Sequence, residues 1–171
     1  QKFAHQIHQP ASELLPLTSP WPFAMWGLDI VGPLTTAPGG WKFFLAATDY
    51  FTKWVEAEAL ASIKEKDVKK FVWQNIITRF GIPKALISDY GTQFDGRIFR
   101  SFCEEYKIEF YNSTPAYHQA NGQAEASNKV VLDGLKKRLE KAKGKWADEL
   151  PHVLWAYRTT PRRSTGETPF S

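Results

Sequence analysis

Three acidic residues of this 171-residue chain stand where a carboxylate needs a special explanation. Asp29 interrupts the apolar run Trp26–Val31, and a charge inside an apolar strand is costly unless something pairs with it. Asp89 follows the apolar run Ala85–Ile87, at the kind of strand end where α/β proteins collect ligands. Glu125 lies near the start of a long helical pattern. Each has an ordinary alternative: a strand acid facing solvent, a turn acid, or an acid that complements a helix dipole.

Taken together, the three carboxylates could meet at one point. Converged carboxylates repel one another and are stable only around cations or with raised pKa values. Oxygen-only ligands select hard cations such as Mg²⁺ or Mn²⁺. Two such ions, roughly 3.5–4 Å apart, can activate an attacking hydroxyl and stabilise the leaving oxygen at one phosphorus. The three acids therefore predict phosphoryl-transfer chemistry that depends on two divalent ions.

The elements that must position these acids begin with three strand-like runs. Turn residues separate the runs, and polar and apolar residues alternate along the third. The short turns between them favour antiparallel pairing. The predicted strands are Met25–Val31, Trp41–Asp49 and Lys53–Leu60.

The second half of the chain alternates helical and strand patterns. The segment from Ser62 to Glu65 fits a capping box, and Gly81 ends the helix that follows it. Asp95 is a candidate cap for the next helix, on whose apolar face we interpret Cys103 as a packing residue. The later predicted elements are a strand from Ala85 to Asp89, the helix after Asp95, a strand Ile108–Tyr111, a loop Asn112–Asn121, a long helix from Gly122 to Lys143 and a last helix from Trp146 to Thr160.

This order of elements predicts a mixed α/β sheet. Three antiparallel strands are extended by two parallel ones, with helices on both faces. The composition, 43% hydrophobic and 23% charged, indicates one globular domain and excludes a fibre or a disordered chain. A single cysteine excludes an intrachain disulfide, and we expect neither a membrane span nor a signal peptide.

Positive charge concentrates in one segment. The chain has 22 Lys and Arg against 18 Asp and Glu, a net charge of +4, and residues 129–145 hold seven basic and two acidic residues. On a continuous helix, Lys129, Lys136 and Lys143 fall at about 40°, 20° and 0° from Glu125. This line of lysines suits phosphate contacts, which give position and salt-sensitive affinity without reading sequence. A solvated, lysine-rich helix face is the alternative.

The order and spacing of four segments carry a resemblance to a known family. Asp89 and Glu125 are separated by 35 residues, and Asp29 precedes both on the predicted strand and helix pattern. The chain resembles the catalytic core of retroviral and retrotransposon integrases, most closely that of plant gypsy-type LTR retrotransposons, within the RNase H-like superfamily of DDE recombinases. The matching segments are Gly27–Pro33, Thr48–Ala57, Ser88–Phe94 and Thr114–Glu125.

The resemblance implies an RNase H-like fold and a metal-dependent polynucleotidyl transferase. Its reactions would be 3′-end processing of element DNA and strand transfer into target DNA. In the family the first acid, here Asp29, bridges two Mg²⁺ or Mn²⁺ ions, while Asp89 binds one and Glu125 the other. The family also implies a dimer or larger homo-oligomer and action in the nucleus.

The resemblance further implies that the loop before the long helix is mobile and lies beside the DNA end. His118, Gln119 and Asn121 are therefore predicted DNA contacts, together with the line of lysines. The family usually has Asn where Tyr90 stands and Pro where His118 stands. A catalytically decayed, nucleic-acid-binding relic therefore stays open as an alternative, and so does an RNase H-like nuclease. Asp49 is left out of the predicted site, although cellular RNases H use four carboxylates.

The resemblance also divides the chain. Residues 1–20 are expected to form an extended linker from an upstream module. Residues 21–165 are expected to form the catalytic core, and residues 166–171 to begin a linker to a C-terminal domain.

Overall fold

The computed structural model describes residues 19–88, 96–112, 115–161 and 166–169, and for residues 115–125 it describes the main chain alone. The strands are β1 (Met25–Val31), β2 (Phe43–Asp49), β3 (Val55–Leu60), β4 (Ala85–Ser88) and β5 (Glu109–Asn112). Helix α1 consists of Glu65–Phe71, a π-helical stretch Val72–Ile77 and Thr78–Phe80. The other helices are α2 (Arg97–Glu105), α3 (Pro115–Lys141) and α4 (Trp146–Thr159), with a 3₁₀ turn at Lys143–Lys145. In the part of the chain that is described, no helix is long and apolar enough to cross a bilayer.

The strands form one mixed sheet in the order β3-β2-β1-β4-β5. β2 pairs antiparallel with both β1 and β3, whereas β4 pairs parallel with both β1 and β5. The predicted sheet of three antiparallel and two parallel strands is thereby confirmed.

Each face of the sheet buries its own apolar cluster. Alternate residues of β1 point to opposite faces, so that Trp26 and Leu28 pack in the cluster with α1 and α2. The other face carries Asp29, whose partner across the β1–β2 ladder is Ala46. Ala46 is buried in the cluster with the later turns of α3 and with α4. The face that carries Asp29 is therefore the face that α3 covers.

The start of α1 differs from the predicted capping box. The helix begins at Glu65, and the Asp67 carboxylate accepts a hydrogen bond from the Lys64 main-chain N–H at 3.0 Å. The Glu65 carboxylate instead accepts from the main-chain N–H of Phe99 in α2, also at 3.0 Å. Ser62 thus lies ahead of the cap, because Asp67 satisfies the main chain of the first turn in place of the predicted pair. Asp95, the predicted cap of α2, lies outside the described residues.

Helix α3 begins and ends earlier than predicted. It starts at Pro115 rather than Gly122, so the predicted loop Asn112–Asn121 is largely helical. Proline is favourable at the first helical position because its fixed φ suits the helix and its missing N–H would be unpaired there. The helix stops at Lys141, and Lys143 adopts a φ of 51° in the following turn.

The last turn of α4 covers one edge of the sheet. Edge strands leave main-chain groups unpaired, and on β3 the carbonyl of Val55 accepts from Arg158 Nη2 at 2.5 Å. The guanidinium of Arg158 also stacks 4.1 Å from the centre of the Trp54 ring and lies 3.3 Å from the Glu56 carboxylate. Burial lowers the pKa of Arg158, and the Glu56 charge opposes that change.

Candidate active site

Asp29 is half-buried in β1, on the sheet face that α3 covers. The parallel register of β1 with β4 ends at the pair Leu28 and Ser88. In the sequence, Asp29 directly follows Leu28, and Asp89 directly follows Ser88. Asp89 itself lies outside the described residues, so its position beside Asp29 stays a prediction.

Glu125 lies in the main chain of α3, and its side chain lies outside the described part of the structure. The next turn is described, and there the side chain of Asn128 is buried against β1. A Cβ added to Gly27 would lie 3.5 Å from Asn128 Nδ2 and 2.9 Å from Cε1 of Tyr50. Gly27 therefore makes room for the Tyr50 ring, and Asn128 of α3 lies within contact distance of the same position, two residues before Asp29.

A lysine anchors the buried amide. Lys53 Nζ donates a hydrogen bond to Asn128 Oδ1 at 3.0 Å and lies 5.8 Å from the centre of the Tyr50 ring. Reasoning from the sequence did not identify this group of three residues. One signal was available: Asn128 falls at helical spacing with Leu132, so it is an amide within the buried stripe of α3.

The predicted line of lysines is only partly continuous. Lys129 is exposed and Lys136 half-buried on α3, at the margin of the buried stripe that contains Leu132. Lys143 is exposed but lies beyond the end of the helix. Its predicted alignment with Glu125 is wrong, because the helix geometry stops at Lys141. His118, Gln119 and Asn121 lie in the first turns of α3, where only the main chain is described.

Asp49, which is not part of the predicted site, is the last residue of β2 and lies on the opposite face of the sheet. It pairs across the ladder with Trp26, whose side chain packs in the cluster under α1 and α2. Its carboxylate accepts hydrogen bonds from the Phe23 N–H at 3.0 Å and from the Thr52 N–H and hydroxyl at 2.9 and 2.7 Å. Burial raises the pKa of Asp49, and the hydrogen bonds from Thr52 and Phe23 oppose the rise.

Cys103 is buried in the apolar cluster below α1 and α2, which agrees with the predicted packing role. Burial raises the pKa of its thiol to about 12. The thiol is therefore protonated near neutral pH, and a protonated, buried thiol is a poor nucleophile.

The donor set predicted for the metal site consists of carboxylate oxygens alone, which suits hard cations. Within residues 19–88, 96–112, 126–161 and 166–169, no three His, Cys, Asp or Glu side chains gather into a possible metal site. Of the three predicted ligands, Asp29 alone has a described side chain. One observation fits a metal site. The pairing of β1 with β4 ends at the residues just before Asp29 and Asp89, and α3 packs on the sheet face that carries Asp29.

The five-stranded order and the acid on the α3 face define an RNase H-like α/β domain. The family described as integrase core domain matches residues 20–118, and the chain belongs to that family. The Gag-Pol polyprotein of avian reticuloendotheliosis virus is 32% identical over 145 residues, covering 85% of this chain and 12% of that protein. Gypsy retrotransposon integrase-like protein 1 of Bos taurus is 27% identical over 164 residues, covering 96% of this chain and 32% of that protein. The chain thus spans less than a third of the length of these relatives.

Solved structures show the same fold. The catalytic core domain of BIV integrase is 19% identical with a TM-score of 0.62, covering 86% of this chain and 91% of that one. The HTLV-2 integrase catalytic core domain in complex with magnesium, in its trimeric form, is 18% identical with a TM-score of 0.66, covering 90% and 97%. The predicted family and fold are therefore confirmed.

Proposed function

We propose that the protein is the catalytic core of an integrase, a polynucleotidyl transferase that processes the 3′ ends of element DNA and joins them to target DNA. The supporting observation is the register of β1 and β4 beneath α3. Asp29 and Asp89 each follow the last described pair of that ladder. Helix α3, which includes Glu125, packs on the sheet face that carries Asp29.

Asp29, Asp89 and Glu125 would hold two Mg²⁺ or Mn²⁺ ions. When bound, such ions supply Lewis-acid stabilisation of the charge that develops at phosphorus. Asp29 lies on β1, Asp89 follows β4 in the chain, and the main chain of Glu125 lies in α3, so two strands of one sheet and a helix packed on it would hold the donors in place before the substrate arrives. A solved relative, the HTLV-2 catalytic core domain, is a complex with magnesium, which supports this choice of ion.

The remaining functional residues bind and orient the DNA. Lys129 and Lys136, at the margin of the buried stripe of α3, neutralise backbone phosphates. His118, Gln119 and Asn121 contact the element end from the first turns of the same helix. Positioning the attacking oxygen in line with the leaving group is the main task of the chain, and no covalent protein intermediate is required.

We also propose that the protein acts in the nucleus as a dimer or larger homo-oligomer. The HTLV-2 integrase catalytic core domain has been solved in a trimeric and in a dimeric form, which supports self-association. Trp155 on α4 is 68% exposed and is a candidate contact between copies. Sedimentation of the wild-type chain and of Trp155→Glu tests the oligomer, and imaging of the tagged chain tests the location.

A strand-transfer assay with Mn²⁺ and an oligonucleotide mimic of the element end tests the function. We expect activity that Asp89→Asn and Glu125→Gln each abolish, while Glu140→Gln, which changes an exposed acid of α3, leaves it unchanged. DNA binding without strand transfer would indicate the decayed relic. Cleavage of RNA–DNA hybrids alone would indicate the nuclease.

A further inference from the structure

Lys53 has a main-chain conformation that favours glycine. Its φ is 67°, in the left-handed region, where any side chain carries a steric cost that glycine avoids. A non-glycine residue in that region persists where the surrounding structure requires it, and such residues cluster at functional sites. The side chain of Lys53 is half-buried and makes specific contacts, so those contacts are the feature to explain.

The main chain of Lys53 is held from two sides. Its N–H donates to the carbonyl of Asp49 at 2.8 Å, within the turn between β2 and β3. Its carbonyl accepts from the hydroxyl of Tyr157 in α4 at 2.6 Å. The main chain from which the Lys53 side chain extends is therefore held both by the β2–β3 turn and by α4.

The side chain of Lys53 reaches a third element. Its ammonium donates to Oδ1 of Asn128 on α3 at 3.0 Å, and Asn128 is only 4% exposed. The amide lies against Gly27 of β1, in the helical turn that follows Glu125. A buried polar group that loses its partner is costly, so this bond favours one depth and one rotation of α3 over β1.

We propose that Lys53 is a positioning residue for the acidic site. By holding Asn128, it fixes the part of α3 that includes Glu125 over the part of β1 that includes Asp29. The proposal rests on the proposed function and adds to it a residue 72 positions before Glu125 in the chain. The Lys53 ammonium acts through Asn128 and touches no substrate.

Substitutions at Lys53 and Lys107, which share a left-handed main-chain conformation, distinguish the positioning role of the Lys53 ammonium from an effect of relieving backbone strain. Lys53→Gly removes the ammonium while easing the backbone, and Lys53→Met keeps the aliphatic stem beside Tyr50 but cannot donate. Lys53→Arg retains a cationic donor. Lys107, exposed in the turn before β5 with a φ of 57°, provides the matched control Lys107→Gly.

Two measurements are made on each variant: strand transfer with Mn²⁺, and amide hydrogen exchange without metal or DNA. In Lys53→Gly and Lys53→Met we expect roughly ten- to hundred-fold slower strand transfer, the scale of a small misplacement of reacting groups. We also expect about ten-fold faster exchange in residues 115–132, with β3 and α4 unchanged, because the side-chain tether to α3 is cut while the main-chain bonds of Lys53 to Asp49 and Tyr157 remain. Lys53→Arg should restore both properties to within about three-fold, and Lys107→Gly should change neither.

Unchanged exchange in α3, or strand transfer by Lys53→Met within two-fold of wild type, would overturn the proposal. Faster exchange over the whole domain, or unfolding of both Lys53 variants, would also overturn it, because Lys53 would then serve general stability. If the wild-type chain shows no strand transfer, the proposed function fails instead. The exchange measurement still decides whether Lys53 fixes α3.

Discussion

The Glu65 carboxylate accepts a hydrogen bond from the main-chain N–H of Phe99 at 3.0 Å, so the first residue of α1 caps the first turn of α2. Gly96, the residue at the N-cap position of α2, has no side chain to do so. We expect Glu65→Ala to lower the free energy of unfolding by about 1 kcal/mol, as the loss of a cap does. Urea unfolding measures the change, and Glu65→Gln, which keeps an acceptor oxygen, should lose less.

A side chain at Gly27 should displace the ring of Tyr50, which packs against β1. The added methyl group of Gly27→Ala would lie 2.9 Å from Cε1 of Tyr50, which is too close for carbon atoms in contact. We expect a loss of about 1–3 kcal/mol in thermal or urea unfolding, as in other overpacked interiors. Gly134→Ala in α3, where the added carbon meets nothing within 4 Å, should instead gain up to about 1 kcal/mol. Equal effects of the two substitutions would contradict the close contact between Gly27 and the Tyr50 ring.

Two arginines that flank Glu56 should differ sharply in importance. The side chains of Arg158 and Glu56 are 19% and 9% exposed, and removal of one partner leaves the other charge buried. The Glu56 carboxylate keeps Arg79 and the Trp54 indole N–H as partners. We therefore expect Arg158→Ala to cost about 1–3 kcal/mol in the free energy of unfolding, partly through the lost bond to the Val55 carbonyl. Arg79, with a side chain 50% exposed, contacts the same carboxylate at 3.3 Å, and Arg79→Ala should cost at most about 1 kcal/mol.

The stability of the protein should fall with rising pH through the titration of Asp49. Its pKa in the folded state is raised above the ordinary value of 3.8 by burial, so the folded state binds the proton more tightly than the unfolded state. The favourable contribution is complete below pH 3.8 and is lost as the pH rises through the folded-state pKa. Urea unfolding of the wild type and of Asp49→Asn is measured from pH 3.5 upward, at about half-unit steps. As the pH rises, the wild type should lose free energy of unfolding relative to Asp49→Asn.

Divalent cations should stabilise the folded protein. A ligand that binds only the folded state adds about 2–3 kcal/mol at a hundred times its Kd, and at the proposed site Mg²⁺ or Mn²⁺ would also relieve repulsion among the three acids. We expect millimolar Mn²⁺ to raise the melting temperature of the wild type and to leave that of Asp29→Asn unchanged. A wild-type protein insensitive to Mn²⁺ would count against an assembled metal site.

The sequence was sufficient to predict the sheet, because each strand carries its own local pattern. The predicted and observed bounds of β1 agree, Met25–Val31. β3 starts two residues later than predicted, at Val55, because Lys53 takes a left-handed turn conformation. The start of α3 was missed because the polar residues after Pro115 resemble a loop, and local composition does not report that the helix continues from a proline.

The acids of the candidate site could be named from the sequence, but their support could not. The bond between Lys53 and Asn128 joins residues 75 positions apart. Neither residue type predicts the contact, since lysine is common in turns and asparagine also occurs on helices. The contact exists only because the sheet places the β2–β3 turn beside α3, which is a property of the tertiary structure.

The last turn of α4 has a consequence beyond its own packing. Arg158 and Tyr157 occupy the carbonyls of Val55 and Lys53, along the outer border of the sheet. A shortened chain that lacks these two side chains would present β3 as a template on which another polypeptide can add a strand. Such a truncation would therefore promote aggregation in addition to any loss of folding energy.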